Sequence, residues 1–208
     1  MKKKYIEISK YVFDCDKCPT RCDGKSKGTY NFENDVKFSE KYENLIIREI
    51  NNNPEYSASK CLKKGYPDIV IKEKNTNKLS SYIEIKVQRR TFMPVKKILP
   101  DASLAPSETL ALNLSDLLRY FKIQHETNVP ILILWVLMNR PCIVNSDEIA
   151  FFYQSVGKLE EIYLKHGDKR RFRRKSGTGD VVEGVHKGVV VNYHFSLNEL
   201  KKKEVTFY

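Results

Sequence analysis

At 208 residues the chain is long enough to bury one sizeable hydrophobic core. Its 41% hydrophobic and 11% aromatic residues exclude a disordered or low-complexity protein, and no apolar run reaches the roughly 18 residues of a membrane span. A net charge of +11 points to a polyanionic partner, nucleic acid first and an anionic membrane surface second.

Met1 to Tyr5 is basic but leads into no signal-type apolar stretch, so the expectation is a cytoplasmic protein whose five cysteines are reduced or metal-bound. Cys15, Cys18 and Cys22 fall within eight residues, with Pro19 and Gly24 for tight turns. This spacing suits a chelating knuckle with zinc as the default metal. A tetrahedral site needs a fourth ligand, and Cys61 is the best candidate by sequence. Residues 1–37 are therefore read as a cysteine-rich segment in front of a domain over 38–208.

Ser39 is the expected N-cap of a helix to about Ile50. Tyr42, Leu45, Ile46, Ile47 and Ile50 make its apolar arc, and Glu43 and Glu49 fall inside that arc. Asn51 to Pro54 stops it. Tyr56 to Leu62 reads as a further short element.

Two strands follow. Ile69, Val70 and Ile71 are β-branched, as are Ile83, Ile85 and Val87. Between them, Glu73 to Lys78 has hairpin-turn composition. Asp68 stands at the mouth of the first strand. Glu84 and Lys86, two apart, leave one face of the second, and Ile83, Ile85 and Val87 leave the other. The hairpin thus gathers Asp68, Glu84 and Lys86 at one end of one surface. Carboxylates placed so repel each other unless something binds them, and their oxygens suit a hard cation such as Mg2+.

Pro67-Asp68, a gap of fifteen residues, and Glu84-Ile85-Lys86 resemble the motif of the PD-(D/E)XK nuclease superfamily. Other Asp/Glu-x-Lys tripeptides occur at Asp23, Asp35 and Glu199, but only the Glu84 copy lies in an alternating β-branched run behind a Pro-Asp. The resemblance covers roughly Ser39 to Met138. It implies an α/β fold with a restriction-endonuclease-like core, a mixed central β-sheet flanked by helices. It also implies a Mg2+ held by Asp68, Glu84 and the Ile85 carbonyl, with Lys86 orienting the attacking water. Glu43 matches the acidic residue on the preceding helix, with Glu49 as the fallback. Some members carry an iron–sulfur cluster, but their cysteines mostly follow the motif and here three precede it.

Past Lys86, Arg89 and Arg90 emerge where a phosphate backbone could be met. The proline-bearing stretch to about Asn113 reads as a long loop, a binding loop or lid. Ser115 is expected to cap a helix to about Thr127 that carries Gln124 and His125. Val129 to Met138 is an apolar run; Pro130 and its β-branched content favour a buried strand over a buried helix. Ile149 to Tyr153 reads as a strand, and Lys158 to Lys165 as a short helix or strand. Lys169, Arg170, Arg171, Phe172, Arg173, Arg174 and Lys175 form a basic loop around one aromatic, expected to contact nucleic acid. Val189 to Phe195 reads as a strand and Leu197 to Lys203 as a terminal helix.

The leading reading is a Mg2+-dependent DNA endonuclease, of a restriction or mobile-element system. The alternatives are a silent nucleic-acid-binding protein on the same fold and an RNA nuclease. Double-strand cutting would favour a homodimer, for which the sequence carries no heptad signature.

Overall fold

The structure, a computed structural model, describes residues 5–19, 22, 32–144, 148–173, 181–182, 185–186 and 191–203. Strands β1 (Glu7–Ser9) and β2 (Val12–Phe13) pair as a hairpin, and the helix α1 (Phe32–Asn51) precedes β3 (Tyr56–Lys60), β4 (Ile69–Glu73) and β5 (Leu79–Gln88). A short helix α2 (Val95–Ile98) and a 3-10 turn at Pro100–Ala102 lead to β6 (Thr109–Asn113), α3 (Leu114–Thr127) and β7 (Ile131–Leu137). Then come β8 (Ala150–Ser155), α4 (Val156–His166), a 3-10 turn at Gly167–Arg170 and β9 (Arg171–Arg173). The chain closes with β10 (Val181–Val182), β11 (Val185–His186), β12 (Val191–Ser196), a 3-10 turn at Leu197–Glu199 and β13 (Lys201–Lys203).

Six strands build a mixed sheet in the order β13-β8-β7-β5-β4-β3, so the architecture is the expected α/β one. β3, β4 and β5 run antiparallel, β5 and β7 pair in parallel, and β8 returns antiparallel to β7. The parallel step requires a crossover, which β6 and α3 supply. A smaller antiparallel sheet, β6-β12-β9, stands beside it.

Helices cover both faces of the large sheet, which explains why β7 is apolar almost throughout. On one face Tyr42 and Ile46 of α1 pack against Ile69, Ile71, Ile83 and Ile85. On the other, Leu117, Tyr120 and Phe121 of α3 and Leu159 of α4 pack against Ile131, Ile133 and Trp135. The face carrying Glu84 and Lys86 is therefore not the open charged surface the alternation suggests: Tyr82 and Glu84 are both buried.

Several expected boundaries move. α1 begins at Phe32 and runs through Ser39, so Ser39 is no N-cap and the boundary after residue 37 falls inside a helix. The cap of α3 is Asn113, whose side chain accepts from the Ser115 backbone N–H at 3.3 Å; Ser115 lies inside the helix. The stretch expected as a long loop or lid folds instead into α2, a 3-10 turn and β6, burying Val95, Ala102, Leu104 and Ser107. Four apolar residues of this stretch form a small core of their own, which no lid would bury.

The terminal helix also differs. Ser196 and Glu199 do form a capping box, but the turn ends at Glu199. Lys201–Lys203 then pair with Phe151 to Tyr153 at the edge of β8, where edge bonding replaces helix bonding. Three exposed lysines on this outermost strand discourage pairing with another chain.

Candidate active site

The end of β4 and the middle of β5 hold the expected cluster. Gly65, at φ +81°, takes the left-handed conformation that turns the chain toward Pro67. Asp68 follows just outside β4, and its Oδ2 accepts from the Ile85 backbone N–H at 2.8 Å. This bond stands where a ladder bond to β4 would otherwise continue. In a strand, the N–H and C=O of one residue leave by the same edge, so the Ile85 carbonyl also faces the Asp68 side, beyond the end of β4.

Glu84 is 3% exposed, and its Oε2 has no hydrogen-bond partner among the described residues. Its Oε1 lies 2.5 Å from Lys86 Nζ. Lys86 Nζ also meets Asp116 Oδ2 of α3 at 3.4 Å, and Asp116 Oδ1 is held by Arg119 at 2.7 Å. The Tyr120 hydroxyl faces Glu84 from the next turn of α3. Asp116 and Tyr120, four apart on one helix face, thus lie over the face of β5 that carries Glu84 and Lys86.

Burial and the neighbouring Glu84 charge push the Asp68 carboxyl up to about 7; the Ile85 N–H and Lys86 pull the other way. Burial works against the Lys86 ammonium, yet Glu84 and Asp116 hold its pKa above the ordinary lysine value. Burial, then the Glu84 and Asp116 charges, hold the Tyr120 hydroxyl protonated far beyond its ordinary range. The result is a permanent ammonium and a neutral phenol around a carboxylate pair short of positive charge.

Asp68 therefore carries a pH signature. In the metal-free protein its folded pKa of about 7 stands above the ordinary 3.8, so between those values the folded state holds a proton that the unfolded chain has lost. Stability then falls as pH rises through that window and levels off above it. Thermal melts in EDTA at about pH 5 and pH 8 should show a smaller drop for Asp68→Asn than for the parent chain. Equal drops in the two proteins would show that Asp68 titrates normally.

Glu43 reaches toward this cluster from α1. Its charge also raises the Asp68 carboxyl, by less than that of Glu84, and its Oε2 is paired with Lys60 Nζ of β3 at 3.3 Å. Glu49, the fallback, is exposed on the same helix. Gln124 is not at the site: its Oε1 accepts from the Ile131 N–H at 3.2 Å, tying α3 to the start of β7. His125 pairs with Glu160 of α4 at 2.9 Å on the surface.

The basic residues divide. Arg89, Arg90, Lys169, Arg171 and Arg173 are exposed; Arg89 lies over the Phe38 ring at 5.2 Å and Arg171 meets Asp168 at 3.2 Å. Arg170 is a correction: it is 4% exposed and its Nη1 meets both Glu199 oxygens at 2.7 Å. Phe172 is another. Its ring packs at 5.1 Å from Phe92, against the small core around Val95, so it is not free to stack on a base. Phe172 lies in β9, which pairs with β12 and draws this part of the expected loop into a sheet, and Arg170 closes the 3-10 turn just before it. Arg174 and Lys175 lie outside the described residues.

The cysteine expectation is also revised. Cys61 sits at the end of β3, packed with Tyr66 against the α3 side of the core, its N–H donating to the Asp68 carbonyl at 2.8 Å. Cys142, just after β7, lines one cavity with Cys15, Cys18 and Cys22. Among the described residues, no three His, Cys, Asp or Glu side chains already stand in the arrangement of a metal shell.

Sequence reasoning missed Asp116, Tyr120 and Cys142. Asp116 and Tyr120 share a helix face with Leu117 and could be found by that spacing alone. Cys142 offers only its position at the exit of an apolar strand.

Fold and site together define a mixed α/β protein with a carboxylate–lysine cluster where a hairpin opens. Among solved structures the chain is similar to Hjc, a Holliday junction resolvase from the archaeal hyperthermophile Archaeoglobus fulgidus, at 11% identity and a TM-score of 0.40, over 78% of this chain and 86% of that one. No family model matches the chain, and no curated protein matches it. No helix among the described residues is long and apolar enough to cross a membrane.

Proposed function

We propose that the protein is a metal-dependent phosphodiesterase that cuts DNA internally, with Mg2+ as its ion. The observation that carries this reading is the buried Glu84 Oε2, left without a partner beside Asp68. An unsatisfied buried carboxylate oxygen is costly, and two carboxylates with a free-facing carbonyl make an all-oxygen donor set that fits a hard cation. Asp68, Glu84 and the Ile85 carbonyl would hold it, with Glu43 completing the shell directly or through water. When bound, such an ion lowers the pKa of a coordinated water and neutralises charge on a phosphate oxygen.

The chain's own groups supply the rest. Lys86, kept charged by Glu84 and Asp116, donates to the water or to the phosphate and offsets its charge. Asp116 fixes where that ammonium stands, and Arg119 fixes Asp116. Tyr120, kept protonated, can donate to Glu84 and hold its carboxylate plane.

Incubation with supercoiled plasmid, single-stranded DNA and RNA, each with Mg2+ or EDTA, tests the proposal. Nicking or linearising of plasmid that EDTA stops is the expected result. Cleavage of RNA alone would shift the substrate, and binding without cleavage of any of the three would leave a silent nucleic-acid-binding protein.

Affinity would come from exposed cations. Neutralising Lys169, Arg171 and Arg173 together should weaken DNA binding and lower its salt slope by about one for each phosphate they neutralise in the parent chain. A slope unchanged across 50 to 200 mM salt, roughly the range over which counterion release is read, would place the DNA on another face. Arg89 and Arg90, following β5 directly, are the next pair to neutralise.

A further inference from the structure

We propose that Cys15, Cys18, Cys22 and Cys142 bind one structural zinc ion, with Arg140 as the buried charge that balances it. All four thiols line one cavity of about 10 Å³, together with Arg140 and Ser107. Four cysteine sulfurs suit one tetrahedral zinc ion. The site lies apart from the Asp68–Glu84 cluster and does not depend on the nuclease reading.

The local chain is built for ligation. Asp14 Oδ1 accepts from the Asp16 and Lys17 N–H groups at 3.2 and 3.3 Å, and the Cys18 N–H donates to the Cys15 carbonyl at 3.4 Å. These bonds fold Cys15 and Cys18 into one tight turn, as a two-residue spacing between metal thiolates requires. Cys22 and Cys142 also lie on turns, where side-chain rotation re-aims the sulfur without disturbing a ladder. The Phe13 N–H donates to Ser107 Oγ at 2.9 Å, which holds the hairpin of β1 and β2 beside the cavity.

Arg140 supplies the independent observation. It is 1% exposed, its Nη1 donates to the Ser107 carbonyl at 2.9 Å, and its Nε and Nη2 have no hydrogen-bond partner among the described residues. No carboxylate pairs with it among those residues either; the groups whose charge would reach it are Cys142, Cys22 and Cys15. A buried guanidinium without a counter-charge is strongly unfavourable. Four thiolates around Zn2+ carry a net charge of about −2, and the unpartnered N–H groups of Arg140 can donate to their sulfurs as an outer shell. Metal binding releases the thiol protons to solvent as the four Zn–S bonds form. The ion would join the N-terminal hairpin to the loop after β7, tying a segment with little core of its own to the sheet.

The test uses the full chain purified without chelator. Elemental analysis should find about one zinc per chain and no stoichiometric iron. Replacement by Co2+ should give the visible absorption of a tetrahedral tetrathiolate. Cys142→Ser should weaken zinc retention against a competing chelator by about tenfold or more, and Cys142→His should keep zinc while shifting the Co2+ spectrum toward mixed nitrogen and sulfur ligation. Cys61→Ser should change neither. Because Cys142→Ser could perturb folding, thiol counting in the folded parent chain gives a second readout: four thiols should become reactive only when a chelator removes the ion. A metal-free protein that gains no Co2+ spectrum, or loss of metal with Cys61→Ser but not with Cys142→Ser, would overturn the proposal.

Discussion

Asp68→Asn and Lys86→Gln should each lower DNA cleavage by about a thousandfold or more, on the scale of several kcal/mol of transition-state charge stabilisation. Affinity for DNA in EDTA should stay within about threefold, because the exposed cations proposed to supply it lie elsewhere. The two variants remove different things. Asp68→Asn keeps shape and the acceptor for the Ile85 N–H but takes away a charge that would hold the proposed ion. Lys86→Gln leaves both carboxylates and takes away the ammonium that Glu84 and Asp116 hold. Raising Mg2+ should therefore recover part of the activity of Asp68→Asn and none of that of Lys86→Gln. Full cleavage by Asp68→Asn, with contaminating nuclease excluded by a matched mock preparation, would refute the assignment of roles.

Arg170→Ala should destabilise the fold by about 3–5 kcal/mol, the scale for breaking a buried ion pair by removing one partner. Glu199 is held by more than this pair: its Oε2 accepts from the Ser196 N–H at 2.9 Å, and its carbonyl accepts from Gln154 at 2.8 Å. Losing the guanidinium leaves this carboxylate short of its main counter-charge at the point where β12 hands the chain to β13. Arg171→Ala, by contrast, breaks an exposed pair with Asp168 and should cost no more than about 0.5 kcal/mol. Chemical denaturation of the two variants separates them. If Arg170→Ala melted like the parent chain and bound DNA weakly, Arg170 would be a surface contact after all.

The contrast between Arg170 and Arg171 shows where sequence reading stops. Both sit in one basic run, and composition cannot tell them apart. Arg170 closes the 3-10 turn before β9 and is drawn inside by Glu199, whereas Arg171 opens β9 and is exposed; both the Glu199 partner and the β12 strand that pairs with β9 lie more than fifteen residues away in the chain. Phe172 followed the same strand inward. Arg140 and Cys142 were invisible for a related reason: their meaning lies in proximity to Cys15 and Cys22, across more than a hundred residues of sequence.

What the sequence determined by itself was local. The β-branched run of Ile69 to Ile71 and the alternation of Ile83 to Val87, with a polar turn between, specified the β4–β5 hairpin, and the period of two put Glu84 and Lys86 on one face. The apolar run at Val129 to Met138 specified a buried strand, and the Asn51 to Pro54 stop ended α1. Period and turn chemistry act within a few residues, so they could be read directly. The tertiary structure decided which face of β5 would be covered. By laying α3 over Glu84 and Lys86 it supplied Asp116 and Tyr120 and buried Glu84, and partial burial and the Glu84 charge together hold Asp68 at about 7. Charge is strongly perturbed only where water is excluded, and that exclusion comes from packing between distant segments, which no local pattern encodes.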